Sequence, residues 1–297
     1  MITTYDRIRY SDNRKGAENM SYKIVGDSST DLTKELKEQG NIVHVPLILQ
    51  IDDEEIIDDE TFDQADMLQK MKNSKHTLKS ACPSPDAFLA HYDDADDIFV
   101  ITLSGKLSGS YNSAEVAKKM YLEEHPDKNI MVIDSCSASV GQTLIAMRIQ
   151  ELMEQGVSFE ETCKKVLQYR DEMCTKFVLE SLEVFRRNGR LSSVKAVLVN
   201  TLNIKAVMTS NPDGSIEKMD QGRGMKKALE KMVDCIKKDM VNPEEKVLGI
   251  AHCNNYERAE FVKSIVLAEI PFKDCIIVDT RGLSSFYAND GGIIVAY

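Results

Sequence analysis

DDIFVITLSGKLSGSYNSAEVAKKM, residues Asp96–Met120, contains the plan of the chain in miniature. The apolar run Ile98–Leu103 has the length and composition of a buried strand. SGKLSGS interrupts it with three serines and two glycines, and the alanine-bearing pattern that follows repeats at helical spacing. Strand, tight turn and helix in that order are the unit from which parallel sheets are built.

The same plan recurs on both sides. YKIVGDSSTDLTKELKEQG reads as strand, polar turn and helix ending at Gly40, and IVHVPLILQI as the next strand, leading into the acidic DDEEIIDDE. DQADMLQKMKN is a helix, and LKSACPSPDAFLAHY places a serine and proline turn before another. NIMVIDSCSASVGQTLIAMRIQELMEQG gives strand, serine-rich turn and a long amphipathic helix closed by Gly156. Beyond it, two long helical regions are expected at Ser158–Thr175 and Arg223–Met240. A hairpin is expected over IKAVMTSNPDGSIEKMDQG, where Pro-Asp-Gly supplies the turn. Strands KVLGIAH, CIIVD and GGIIVAY complete a mixed sheet. The expected fold class is α/β in two domains, an N-terminal one on a parallel sheet (20–162) and a C-terminal one on a mixed sheet (163–297), with a ligand site between them. Residues 1–19 are read as a disordered extension, with Met20 as an alternative start.

The 297 residues are 42% hydrophobic and 29% charged, an ordinary globular composition. A net charge of −11 opposes nucleic-acid binding, which rewards clustered Lys and Arg. The seven cysteines are scattered, odd in number and without a C-x-x-C pair, which reads as free thiols in a reducing cytoplasm. No apolar run reaches the ~18 residues of a membrane span. The acidic runs Asp52–Glu60 and Asp93–Asp97 lack the oxygen spacing of a calcium loop and are read as solvated charge.

Four turns share one design: GDSSTD, KSACPSP, LSGKLSGS and DSCSAS each stand at or just before a helix start. Helix N-termini offer free N–H groups and the positive end of a dipole, and hydroxyls there can turn toward an anion. Ser, Thr and Asp are also the preferred N-caps, so any one turn alone is read as a cap. Four together, one with two glycines that let a backbone approach closely, are read as a ligand cradle. Enzyme signatures are missing from the pattern. GKLSGS is not a phosphate-binding Walker loop, G-x-S-x-G does not occur, and none of the five histidines adjoins a nucleophile motif. Hydroxyls and backbone donors without a base or metal ligands suit holding a weak anion. Cys82 and Cys136 lie in the serine turns without a basic neighbour and are read as packing residues.

SGKLSGSYNSA, Ser104–Ala114, together with NGRLSS and LNIKAV further on, resembles the DegV family of bacterial fatty-acid-binding proteins, and so do GDSSTDL, SACPS and VIDSCSASVGQ. The resemblance covers Met20–Tyr297. It implies a long-chain fatty acid as ligand, with no other cofactor, its tail in an apolar tunnel. It also implies a partner, an ATP-binding fatty acid kinase subunit that makes the acyl phosphate used in phospholipid synthesis. The family's head-group hydroxyls fall on Ser80 and Ser104. Gly105 and Ser108 of the same motif and Ser28 of the first turn join the candidate set. Arg190 aligns with the family arginine after the double glycine, and is read either as a surface cation or as part of the kinase interface. The family histidine near the C-terminus is replaced by Tyr287, which either donates a hydrogen bond to the head group or packs its ring. The alternative function is an enzyme acting on a small phosphorylated or carbonyl substrate, prompted by the same turns and by the family's distant likeness to dihydroxyacetone kinase subunits.

Overall fold

A computed structural model describes residues 21–74, 76–93, 95–191 and 203–297. The expected N-terminal extension lies outside these residues, as does most of the LSSVKAVLVNT segment. Strand β1 (Tyr22–Asp27) leads to α1 (Lys34–Gln39), which is N-capped by Thr33 and closed by Gly40 in the left-handed conformation. IVHVPLILQI is two strands rather than one. β2 (Ile42–Val45) runs parallel to β1, whereas β3 (Ile48–Ile51) leaves for another sheet. Pro46, which has no N–H to give a ladder, separates them. β4 (Glu54–Ile57) pairs back on β3, α2 (Gln64–Asn73) follows, and β5 (Leu78–Ala81) adds to the other edge of β3 with Ser80 opposite Leu49. Leu78–Ala81 is therefore a strand where a turn was expected. The turn is shorter, and ends where Ser84 caps α3 (Pro85–Leu89).

The segment Asp96–Met120 folds as read, with β6 (Asp97–Thr102) and α4 (Ser110–Glu124); β7 (Asn129–Asp134) and α5 (Val140–Glu154) repeat it. The order β2-β1-β6-β7 is parallel throughout. α6 (Phe159–Glu172) comes next, and the chain then enters β8 (Thr175–Val178). Thr175 is thus strand, and the helical region expected to reach it stops three residues earlier. α7 (Glu183–Arg187), the hairpin β9 (Ile204–Ser210) and β10 (Ile216–Arg223), and α8 (Met225–Asp239) follow. The chain continues through β11 (Val247–His252), α9 (Tyr256–Leu267), β12 (Asp274–Asp279), α10 (Gly282–Ala288) and β13 (Ile293–Ala296). These strands form a mixed six-stranded sheet in the order β10-β9-β8-β13-β11-β12. Two sheets were expected; β4-β3-β5 is a third, small and antiparallel.

α5 joins the two large sheets. Ile145 and Ile149 pack with Ile24 and Phe99 of the parallel sheet, while Val140 and Leu144 pack with Ala251 and Ala296 of the mixed sheet. A Cβ on Gly249 of β11 would stand 2.5 Å from the Val140 side chain, so only glycine admits the helix this closely. A helix covered on two faces is apolar on both. That is why this segment is more apolar than the amphipathic helix expected of it. α6 puts Val166 and Cys163 into the core around Ile24. The 162/163 boundary falls inside this helix, and we propose to place it between Glu172 and Thr175.

Candidate functional site

Because β1, β6 and β7 are parallel, the turns that follow them meet at one end of the sheet. The Ser104 amide donates to the Ser137 carbonyl at 2.8 Å, and the Ser139 amide to the Ser29 hydroxyl at 3.3 Å. Buried carboxylates knit the turns further. Asp27 accepts from the Leu103 amide (2.8 Å), the Ser110 hydroxyl (2.7 Å) and the Gln142 amide (2.9 Å). Asp31 accepts from the Ser139 hydroxyl (2.5 Å) and the Arg281 amide (2.6 Å). Burial pushes Asp27 up to about 6 and Asp31 up to about 7, because removal from water penalises the charged form more than these bonds favour it.

Beside these turns lies a cavity of about 300 Å³. Leu47, Leu103, Leu107, Phe177, Phe185 and Ile294 give it an apolar lining drawn from the mixed sheet, α7 and the loops that follow β2 and β6. Ser80 lies in its wall on β5, and Tyr287 on α10, with their hydroxyl oxygens 3.0 Å apart. Each is the other's only side-chain hydrogen-bond partner among the described residues. The Tyr287 ring also packs tilted against Phe185, centroids 4.7 Å apart, so it packs and hydrogen-bonds at once.

Two buried acids hold α10 against this wall, Asp31 through the Arg281 amide and Asp58 through the two amides that follow. Asp58 lies in a run expected to be solvated, yet it is fully buried. It accepts from the Ser28 hydroxyl (2.8 Å) and from the Gly282 and Leu283 amides (2.9 and 2.8 Å). Burial raises its pKa as well. A Cβ on Gly282 would lie 2.4 Å from the Asp58 carboxyl carbon. The segment Gly282–Ala288 is thus a short helix fixed at its N-terminal end, and the chain turns only after Ala288. Asp97, in the other acidic run, is likewise buried and accepts from the Asn129 side chain at 2.9 Å.

The candidates divide. Ser80, Ser108, Arg190 and Tyr287 line the cavity. Arg190 is partly buried and engaged: its Nε donates to the Leu107 carbonyl (3.1 Å) and its Nη1 to the Asn188 carbonyl (2.5 Å). Ser104, Gly105 and Ser28 do not line it. The Ser104 hydroxyl donates to the Gly214 carbonyl at 2.7 Å and accepts from the Lys106 amide at 3.2 Å. The Gly105 amide binds Asp134 at 3.1 Å, and Ser28 bridges Asp58 and the Leu47 amide. Sequence reading missed Ser29, Ser139, Thr175 and Ser284, which do line the cavity; the serine turns contained two of them, but nothing in the pattern ranks one hydroxyl above its neighbour. Cys82 and Cys136 also line it, and burial raises the Cys136 thiol. Among the described residues no group of three or more His, Cys, Asp or Glu is placed to hold a metal ion, and no helix is long and apolar enough to cross a membrane.

Sheets and cavity together define an α/β protein with a parallel and a mixed sheet and a ligand-sized apolar chamber rimmed with hydroxyls. The chain belongs to the DegV family: the family model described as "Uncharacterised protein, DegV family" matches residues 21–297. A DegV domain-containing protein of Streptococcus gordonii is 38% identical over 280 residues, 94% of this chain and 99% of that one. Among solved structures, a DegV family protein of Ruminococcus gnavus ATCC 29149, described with vaccenic acid, superposes with a TM-score of 0.91 at 46% identity, covering 94% of this chain and 100% of its own. A DegV family protein of Eubacterium eligens loaded with heptadecanoic acid gives 0.86 at 32% identity, over 93% and 99%. The fatty acid kinase (Fak) B3 protein of Streptococcus pneumoniae, loaded with linoleic acid, gives 0.83 at 34%, over 94% and 99%.

Proposed function

We propose that this chain binds a long-chain fatty acid and presents it to an ATP-binding fatty acid kinase subunit, which forms the acyl phosphate. The observation that carries the reading is the Ser80–Tyr287 pair in an apolar wall. Two hydroxyls bonded to each other engage one proton and leave the other free. A carboxylate accepts both, replacing a neutral contact with charge-assisted ones. The tail lies along the leucine and phenylalanine lining, where each buried methylene contributes ~0.8 kcal/mol. Ser108 and Gly109 bring the first turn of α4 to the same wall, adding the positive end of a 15-residue helix. Three fatty-acid-loaded neighbours support the ligand class, and the kinase protein among them supports the partner. The group transfer belongs to that partner, and its ATP requirement together with the free thiols here suits the cytoplasm.

Protein recovered from a bacterial host and examined by native mass spectrometry should carry an extra mass of roughly 250 to 285 Da, that of a host fatty acid filling the site. After delipidation, free acids should bind and their methyl esters bind far more weakly. Equal affinity for acid and ester would remove the head-group assignment.

A further inference from the structure

We propose that the cavity favours acyl chains carrying a hydroxyl group on the tail, received by a polar pocket of Ser29, Ser139 and Ser284 backed by Asp31. This rests on the fatty-acid reading above and narrows it. All three serines line the cavity, with exposures of 1%, 0% and 6%. The Ser139 hydroxyl is taken up by Asp31 at 2.5 Å. Ser29 accepts from the Ser139 amide, and its own proton meets no acceptor among the described residues. The Ser284 hydroxyl is shut off from solvent without a hydrogen-bond partner. It stands near Asp31 but outside hydrogen-bond geometry. Elsewhere in the same wall the account closes: Ser137 and Thr175 are 2.6 Å apart and bond to each other.

Buried hydroxyls are ordinarily paired, and leaving one unpaired is costly. A saturated hydrocarbon tail would seal that cost in, because it offers neither donor nor acceptor. A hydroxyl on the chain offers both. It can accept from Ser29 and donate to Ser284, which then turns its own proton to Asp31. The pocket is distinct from the head-group pair. Ser284 precedes Tyr287 by one turn on the same face of α10, a rise of about 4.5 Å along the helix, so it meets the chain while Tyr287 meets the carboxylate.

The test is calorimetric titration of the delipidated protein with stearate and with 3-hydroxy-, 10-hydroxy- and 12-hydroxystearate. At least one hydroxylated isomer should bind roughly threefold to tenfold tighter than stearate, the worth of one net hydrogen bond. Ser284→Ala should erase that advantage, weakening the preferred isomer more than stearate. The inference is overturned if no isomer exceeds stearate, or if Ser284→Ala weakens stearate as much as the preferred isomer, which would make Ser284 a head-group ligand. If the variant does not fold, the wild-type ranking of isomers decides the matter alone. Stearate binding without isomer preference refutes this inference only, whereas failure of every acid to bind refutes the fatty-acid reading.

Discussion

The Ser104 hydroxyl donates to the Gly214 carbonyl and accepts from the Lys106 amide, whereas the Ser80 hydroxyl has a single partner, the Tyr287 phenol. Both serines come from similar-looking polar segments, and both were candidates for the same carboxylate. Their hydrogen-bond accounts separate them. A hydroxyl that gives its proton to a backbone carbonyl cannot be recruited by a ligand without orphaning that carbonyl. One paired only with another hydroxyl can exchange it for a stronger acceptor at little cost. On this account the Ser104 hydroxyl is committed to backbone groups, and the Ser80 hydroxyl is the one a ligand could recruit.

The largest expected effect is on pH, and it tests whether the first serine turn belongs with the Ser104 loop. Asp27 and Asp31 keep their protons up to about 6 and about 7 in the folded protein, while an unfolded chain releases them near 4. Between those limits the native state binds more protons than the unfolded state, so stability falls as pH rises. Asp58 is shifted in the same direction. The melting temperature should therefore be higher at pH 5 than at pH 8, and Asp31→Asn should flatten the profile. A flat wild-type profile would mean that the turn is hydrated and open to ligand.

Gly214→Ala should come next. Its φ of +82° is unfavourable for alanine, and the new Cβ would stand 2.3 Å from the Ser104 oxygen. Strain and overpacking together should cost about 2 to 4 kcal/mol in urea denaturation. Fatty-acid affinity of the folded fraction should change little; a parallel loss of affinity would return Ser104 to the binding site.

Direct removal of hydroxyls sharpens the contrast. Ser80→Ala and Tyr287→Phe should each weaken binding of the free acid by roughly 1 to 3 kcal/mol, the range for bonds to a charged group. Ser104→Ala should lower stability by about 1 to 3 kcal/mol with unchanged affinity. If all three variants lose affinity alike, the distinction fails. The smallest effect is expected at Ser84, four residues from Ser80 and an N-cap whose oxygen accepts from the Ala87 amide at 3.2 Å. Ser84→Ala should cost about 1 kcal/mol of stability and leave binding untouched.

Wherever the signal is local, the fold could be read from the sequence. The runs ending at Gly26, Thr102 and Ile133, the left-handed Gly40 and the Pro-Asp-Gly hairpin are recognised from neighbours within a few residues. The small sheet was hidden because IVHVPLILQI is uniformly apolar and shows only Pro46 as a break, while LKSA is four residues long and half polar. Asp58 was misread for another reason. Its partners Gly282 and Leu283 lie more than 220 residues away, and a charge buried by distant backbone looks, in sequence, like a charge in water. In sequence the candidate site reads as a set of turns. Its division into hydroxyls bound to backbone and hydroxyls lining the cavity was not visible, because Gly214 and Tyr287 choose between them from the other half of the chain.

Asp58 follows strand β4 and grips the start of α10, so the sheet that carries Ser80 also positions Tyr287, 207 residues further on. Contacts of such long range close late in folding, since the entropy of the intervening loop must be overcome first. During synthesis the parallel sheet can assemble on its own schedule, but the Ser80–Tyr287 pair cannot exist until residues 282–288 have left the ribosome and docked. A partly made chain therefore lacks the Ser80–Tyr287 pair, and a ligand held by that pair would stabilise only the finished fold.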